Sequence, residues 1–156
     1  MDAPIIFDEA EWVRLAQEPL IISLTNQRIA LHNLSVSAIA LSTGLFGYGE
    51  WVIRLPTFIA GTALIPFVFW VSHALFDRWT AVVAMAIVSV AWPLVAYSVV
   101  GRGYAFGNLF FIAMLALVPF VIDNNNRVGI LLLGFLFAIA FYSVQSMVFA
   151  YFITIT

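Results

Sequence analysis

Three of the eight carboxylates in this 156-residue chain fall within four positions, in Phe7-Asp8-Glu9-Ala10-Glu11-Trp12. Clustered acids can hold a ligand at the edge of a bilayer, or share a metal site with a nearby histidine; an acidic N-terminal tail is the plainer alternative. His32, after the polar run Thr25-Asn26-Gln27-Arg28, is the histidine closest in sequence. It suits substrate or metal binding, or simply the membrane interface. A second chemical feature is Tyr97-Ser98-Val99-Val100-Gly101-Arg102-Gly103-Tyr104, where an arginine stands between glycines at the junction of two uncharged stretches. Its forked guanidinium matches the oxygens of a phosphate, and an unsolvated arginine at a bilayer edge is expensive unless paired. The competing reading is a loop arginine that reaches out to lipid headgroups. These glycines do not form a dinucleotide fingerprint, because their spacing is wrong and no strand precedes them. His73 lies beside Ser72 in an apolar stretch, where a hydrogen bond between helices would explain it. Asn33-Leu34-Ser35 matches the short glycosylation acceptor pattern, which is common and carries little weight.

Composition decides what surrounds these groups. Hydrophobic residues make up 64% of the chain and charged residues 9%, against about a quarter charged in a soluble domain, so an aqueous globule is excluded. The chain reads as an all-α integral membrane protein. All six basic residues are single, scattered arginines (14, 28, 54, 78, 102 and 127), which excludes a nucleic-acid surface. Without cysteine there is no disulfide, thiolate chemistry or zinc-thiolate site. The first twenty residues are acidic and interrupted by Pro4 and Pro19, unlike a secretory signal.

The elements that must position the polar residues follow from the uncharged runs. Residues 8 to 18 suit a short interfacial helix, with Asp8, Glu11, Trp12 and Leu15 on one face. Residues 20 to 53 mix apolar, serine and glycine positions and suit juxtamembrane helices, with one short span as the alternative. Leu55 to Phe76, about 33 Å as a helix, is long enough to cross the bilayer. So are Thr80 to Gly101 and Gly103 to Ile122, while 128–156 is expected to break near 142–146, giving four to five transmembrane helices. Pro66, Pro93 and Pro119 lie inside these runs, which bilayer helices tolerate when neighbours satisfy the freed carbonyls. The short connections at 77–79 and 123–128 predict antiparallel neighbours. An arginine in each sets them weakly on the cytoplasmic side, with Asp8, Arg54 and Arg102 opposite.

In order, Phe7-Asp8-Glu9-Ala10-Glu11, Leu31-His32-Asn33-Leu34, the run from Leu45-Phe46-Gly47 through Glu50 to Arg54-Leu55-Pro56, then Ser98 and Arg102-Gly103-Tyr104 form a series. It resembles the N-terminal half of the GT-C glycosyltransferases, which include protein O-mannosyltransferases and dolichyl-phosphate-mannose-protein-mannosyltransferase-like proteins. The resemblance runs from about residue 6 to about residue 122 and more loosely beyond. It implies that residues 1–53 form an extracytoplasmic acidic loop with juxtamembrane helices, and residues 54–156 a transmembrane bundle, in a bacterial or archaeal plasma membrane. It further implies an inverting hexosyl- or pentosyltransferase that moves a sugar from a polyprenyl-phosphate donor to an extracytoplasmic acceptor. Asp8 would be the catalytic base, and Glu9 would position the acceptor or join Asp8 in holding a divalent cation. Arg102 would offset charge on the leaving phosphate, with Arg54, His32 and Tyr104 as further substrate-binding candidates. Relatives have one membrane helix before the acidic loop and several after the matched region, so the chain is expected to be a piece of a larger enzyme, inactive alone. The alternative class is a small non-catalytic membrane protein, an assembly partner or transporter fragment. A transporter more typically carries ionisable groups at mid-membrane, whereas here they sit at the edges of the spans.

Overall fold

A computed structural model describes residues 14–18, 32–124 and 127–146, and every regular element among them is helical. Six helices follow in order: α1 (Asn33–Phe46), α2 (Glu50–Leu75), α3 (Arg78–Val90), α4 (Trp92–Ser98), α5 (Tyr104–Asn124) and α6 (Arg127–Ser143). Before them, residues 14–16 make one helical turn, whose Ala16 is buried in a cluster with Val36, Ile39 and Ile53. The rest of the expected helix at 8–18, including Asp8, Glu9 and Glu11, lies outside the described residues.

Local chemistry sets the helix ends. Helix α1 stops at Gly47, whose φ of 79° and ψ of 179° belong to a region that glycine alone enters without strain. Helix α2 begins at Glu50, five residues ahead of the uncharged run, because a carboxylate in the first turn suits the positive end of the helix dipole. Its 26 residues reach about 39 Å. Pro56 lies inside it and has no N–H to offer the Val52 carbonyl one turn back. The Ser42 hydroxyl of α1 donates to that carbonyl at 2.8 Å, so a neighbouring helix satisfies the group that the proline frees. Asp77 caps α3 by accepting from the amides of Trp79 and Thr80.

The expected single span over Thr80 to Gly101 is broken. Pro93 cannot donate and its ring would meet the Ser89 carbonyl in a continuous helix, so the chain leaves helical geometry at Ala91. Helices α3 and α4 meet at 61°. Four to five transmembrane helices were expected from the uncharged runs. Among the described residues, two helices are long and apolar enough to cross a bilayer, α2 and α5, or three where the bent α3–α4 pair counts as one span. Helix α6 has 17 residues, which falls short of the span length of about 20.

Helix α2 is the hub, touching α1, α3, α4 and α5, while α6 packs on α5 and reaches α1. At one end of the bundle, Ser143 closing α6 bonds to the Gly103 carbonyl just before α5. At the other, Gly129 near the start of α6 lies against Phe120 and Val121 late in α5. Helices α5 and α6 therefore run antiparallel. Large apolar side chains, among them Trp79, Val90, Trp92, Leu131 and Phe135, cover the outer surface. Together with the span-length helices, this makes the chain an integral membrane protein.

Candidate functional site

Of the polar residues singled out in sequence, His32, Arg102 and Tyr104 come together where α1 begins, α5 begins and α6 ends. His32 is the N-cap of α1, and its Nδ1 accepts from the Gly103 amide at 3.3 Å. That bond requires an unprotonated Nδ1, which puts the proton of the neutral ring on Nε2. The imidazole also meets the Tyr104 ring edge-on, with centroids 5.1 Å apart, and Tyr104 in turn leans on Tyr97 at 4.5 Å. Thus His32 and Tyr104, 72 positions apart, share one contact around the Arg102-Gly103 loop.

Two serines complete the junction. The Ser35 hydroxyl donates to the Gly101 carbonyl at 2.8 Å, and the Ser143 hydroxyl donates to the Gly103 carbonyl at 2.7 Å. His32, Ser35 and Ser143 are all buried, at 6%, 0% and 0% exposure. Arg102 is half-buried, and its amide closes a tight turn onto the Val100 carbonyl at 2.6 Å. Gly103 has no room for a side chain: a β-carbon there would overlap the Ser143 carbonyl and press on the Ser143 hydroxyl and His32 Nδ1. The glycine is needed for close approach between segments 40 and 71 residues away in sequence.

Arg54, expected near the outer edge of its span, is instead inside α2 and only 7% exposed. It follows Ile53, which belongs to the cluster that seats Ala16, and its carbonyl accepts from the Thr57 hydroxyl at 3.0 Å. A polar group at this depth is worth its desolvation only when satisfied, as Arg54 is. Asn33, next to His32, has a buried Oδ1 that makes no hydrogen bond among the described residues. Within the glycosylation-like triplet at 33–35, Ser35 is buried and bonded to Gly101. Among the described residues His73 makes no hydrogen bond to another helix: it is exposed toward the opposite end and stacks on Phe69 of its own helix at 5.9 Å.

Sequence reading missed Ser35 and Ser143. The signal for Ser143 was the polar interruption Tyr142-Ser143-Val144-Gln145-Ser146, read only as a helix break. Beside the junction, α1, α2 and the Phe106 side chain of α5 enclose an apolar cleft of about 310 Å³, lined by Leu41, Leu45, Phe46, Leu55 and Ile59. Among the described residues no three His, Asp or Glu side chains gather as metal ligands. Asp8 and Glu9, the expected cation ligands, lie outside the described residues.

The sequence signature described as dolichyl-phosphate-mannose-protein mannosyltransferase matches residues 36–156. No curated protein and no solved structure matches the chain. The matched region contains Arg54, Arg102, Gly103, Tyr104 and Ser143, and begins just after His32 and Ser35.

Proposed function

The chain belongs to the dolichyl-phosphate-mannose-protein mannosyltransferase family, and from that premise we propose that it carries part of an inverting GT-C glycosyltransferase site fed by a polyprenyl-phosphate sugar. The observation that carries this reading is the buried junction of His32, Gly103 and Ser143, which holds Arg102 between two glycines at one end of the bundle. A polyprenyl donor keeps its tail in lipid and its phosphate at the interface, so a cation that meets it must stand at a span end. Arg102 does so.

In the reaction, Asp8 takes the proton of an acceptor hydroxyl as the acceptor oxygen attacks the anomeric carbon. The bond from that carbon to the phosphate oxygen breaks with its electron pair on the phosphate, and attack from the opposite face inverts the configuration. Arg102 stabilises the charge that grows on the departing phosphate. Glu9 positions the acceptor, and Arg54, His32 and Tyr104 shape the donor side of the site. Asp8 and Glu9 supply the hard oxygen ligands that a divalent cation would take, and such a cation would add positive charge near the phosphate. Asp8 lies eight residues before Ala16, which is seated against Ile53 of α2. The junction then faces the extracytoplasmic side of a bacterial or archaeal plasma membrane.

The test is mannose transfer from a mannosyl-phosphoryl-polyprenol donor in membranes that contain the protein, with wild type compared against Asp8→Asn. Removing a general base should lower transfer by about 10²- to 10⁴-fold. Undiminished transfer by Asp8→Asn would exclude Asp8 as the base.

A further inference from the structure

Arg102 is the residue expected to act, yet the most heavily constrained atoms nearby belong to the peptide groups on either side of it. Ser35 holds the Gly101 carbonyl, His32 holds the Gly103 amide and Ser143 holds the Gly103 carbonyl. Three peptide groups in a row, before and after Arg102, are thus tied to side chains that are 66, 71 and 40 positions away. A loop at a bilayer edge can satisfy its backbone with water at little expense. Burying two hydroxyls and an imidazole there instead incurs desolvation that each bond only just offsets. What this arrangement adds is a fixed origin for the Arg102 side chain. Gly103 sharpens the fit, since even one added carbon would push the α6 end away.

We propose that His32, Ser35 and Ser143 are positioning residues that clamp the Gly101–Gly103 backbone so that the Arg102 guanidinium is presented in one place to the phosphate of a polyprenyl-phosphate ligand. The proposal rests on the reading of Arg102 as the phosphate-facing cation. The clamp joins the start of α1 to the end of α6, so the site is assembled only when both helices have docked at the loop that precedes α5. Group placement of this kind matters steeply, since a shift of about 1 Å can lower a rate by about 10²-fold.

The experiment measures binding of polyprenyl phosphate, and of the unphosphorylated polyprenol as control, to the full chain in lipid nanodiscs. Amide hydrogen exchange of the segment 99–107 is followed in the same samples. Arg102→Gln should weaken polyprenyl phosphate binding about tenfold and leave polyprenol binding unchanged. Ser143→Ala and His32→Ala should reproduce that selective loss and speed exchange at the Gly103 amide. His32→Asn, whose side-chain oxygen can accept in place of Nδ1, should restore both. If Arg102→Gln binds polyprenyl phosphate as wild type does, the functional reading fails and the clamp loses its ligand. If Arg102→Gln weakens binding but the serine and histidine variants keep wild-type affinity, the reading stands and the clamp is overturned. Equal loss of phosphate and polyprenol binding in Ser143→Ala and His32→Ala signals general unfolding, and Ser35→Ala then decides: selective loss of phosphate binding in that variant upholds the clamp, and any other result overturns it.

Discussion

The Ser42 hydroxyl and the Val52 carbonyl, on adjacent helices, are joined at 2.8 Å where Pro56 leaves that carbonyl without its amide. Both groups are out of reach of water, so loss of the donor strands an acceptor. Ser42→Ala should destabilise the folded chain by about 1–3 kcal/mol, read as a lower melting temperature in detergent. Pro56→Ala restores an amide for Val52 and should make the Ser42→Ala loss smaller in the double variant. Equal losses in both backgrounds would mean that the hydroxyl is not replacing the missing amide.

Helices α2 and α4 touch at Gly61, where a β-carbon would overlap the Cβ of Ser98 and lie 3.2 Å from its Cα. Because the clash is with the root of a side chain, no rotamer change relieves it. Gly61→Ala should lower stability by about 1–3 kcal/mol, the range for overpacking, despite alanine's better helix propensity. Ser98→Gly in the same chain should recover part of the loss. A melting temperature for Gly61→Ala at or above wild type would show that α4 does not pack this closely.

Ile39 is fully buried in the cluster that seats Ala16. Ile39→Ala should cost about 2–5 kcal/mol and loosen the turn at 14–16, whose Ala16 is seated on that cluster. Trypsin should then cut after Arg14 faster than in wild type, at temperatures where α2 and α5 stay folded. Cleavage after Arg14 at the wild-type rate would disprove the link between this cluster and the N-terminal turn.

Asp77 is the titrating helix cap at the opposite end. Its carboxyl is held below the ordinary value of 3.8, first by the Thr80 hydroxyl, then by the Thr80 and Trp79 amides. A depressed folded-state pKa means stability that is present above the unfolded value and lost as pH falls through the folded one. Melting temperature should therefore decline below about pH 4 in wild type. Asp77→Asn, which still caps but does not titrate, should flatten that decline, and an unchanged acid limb would refute the assignment.

Sidedness is open to cysteine labelling, because the chain has no cysteine of its own. Glu50 lies at the junction end of α2, while Arg78 and Arg127 open the helices that start from the other end. An impermeant maleimide applied to intact cells should label Glu50→Cys, and should label Arg78→Cys and Arg127→Cys only after permeabilisation. The reverse pattern would invert the proposed orientation, and labelling of all three from outside would contradict the antiparallel order.

Much of this arrangement was legible in the sequence, and the reasons are local. Uncharged runs of sufficient length report helices directly, and the series from His32 to Tyr104 marked residues that the structure brings together. The boundaries were less legible where charge was used as a marker. Glu50 and Arg54 are helical all the same, since backbone bonding is indifferent to a charged side chain and Arg54 is buried by neighbours distant in sequence. Pro93 was read as tolerated within one span, yet the chain turns there, whereas at Pro56 the helix continues and Ser42 satisfies the freed carbonyl. Ser35 and Ser143 could not be singled out, because a serine that bonds a carbonyl 66 or 40 residues away looks the same in sequence as one bonded to its own helix. Asp8 and Glu9 lie outside the described residues, so their roles rest on the family resemblance.

The 61° bend at Ala91 also acts on the surrounding lipid. Helix α3 advances about 20 Å and α4, inclined as it is, adds about 5 Å along the same axis, against a hydrocarbon thickness of about 30 Å. A span that is short for its bilayer is accommodated by thinning the adjacent leaflet or by flanking side chains that reach outward. Where α3 and α4 form one span, a leaflet thinned around them would dip beside the Gly101–Tyr104 loop, where α4 ends. Headgroups drawn inward there would meet the loop at its own depth, so that membrane thickness itself becomes a variable controlling access to Arg102.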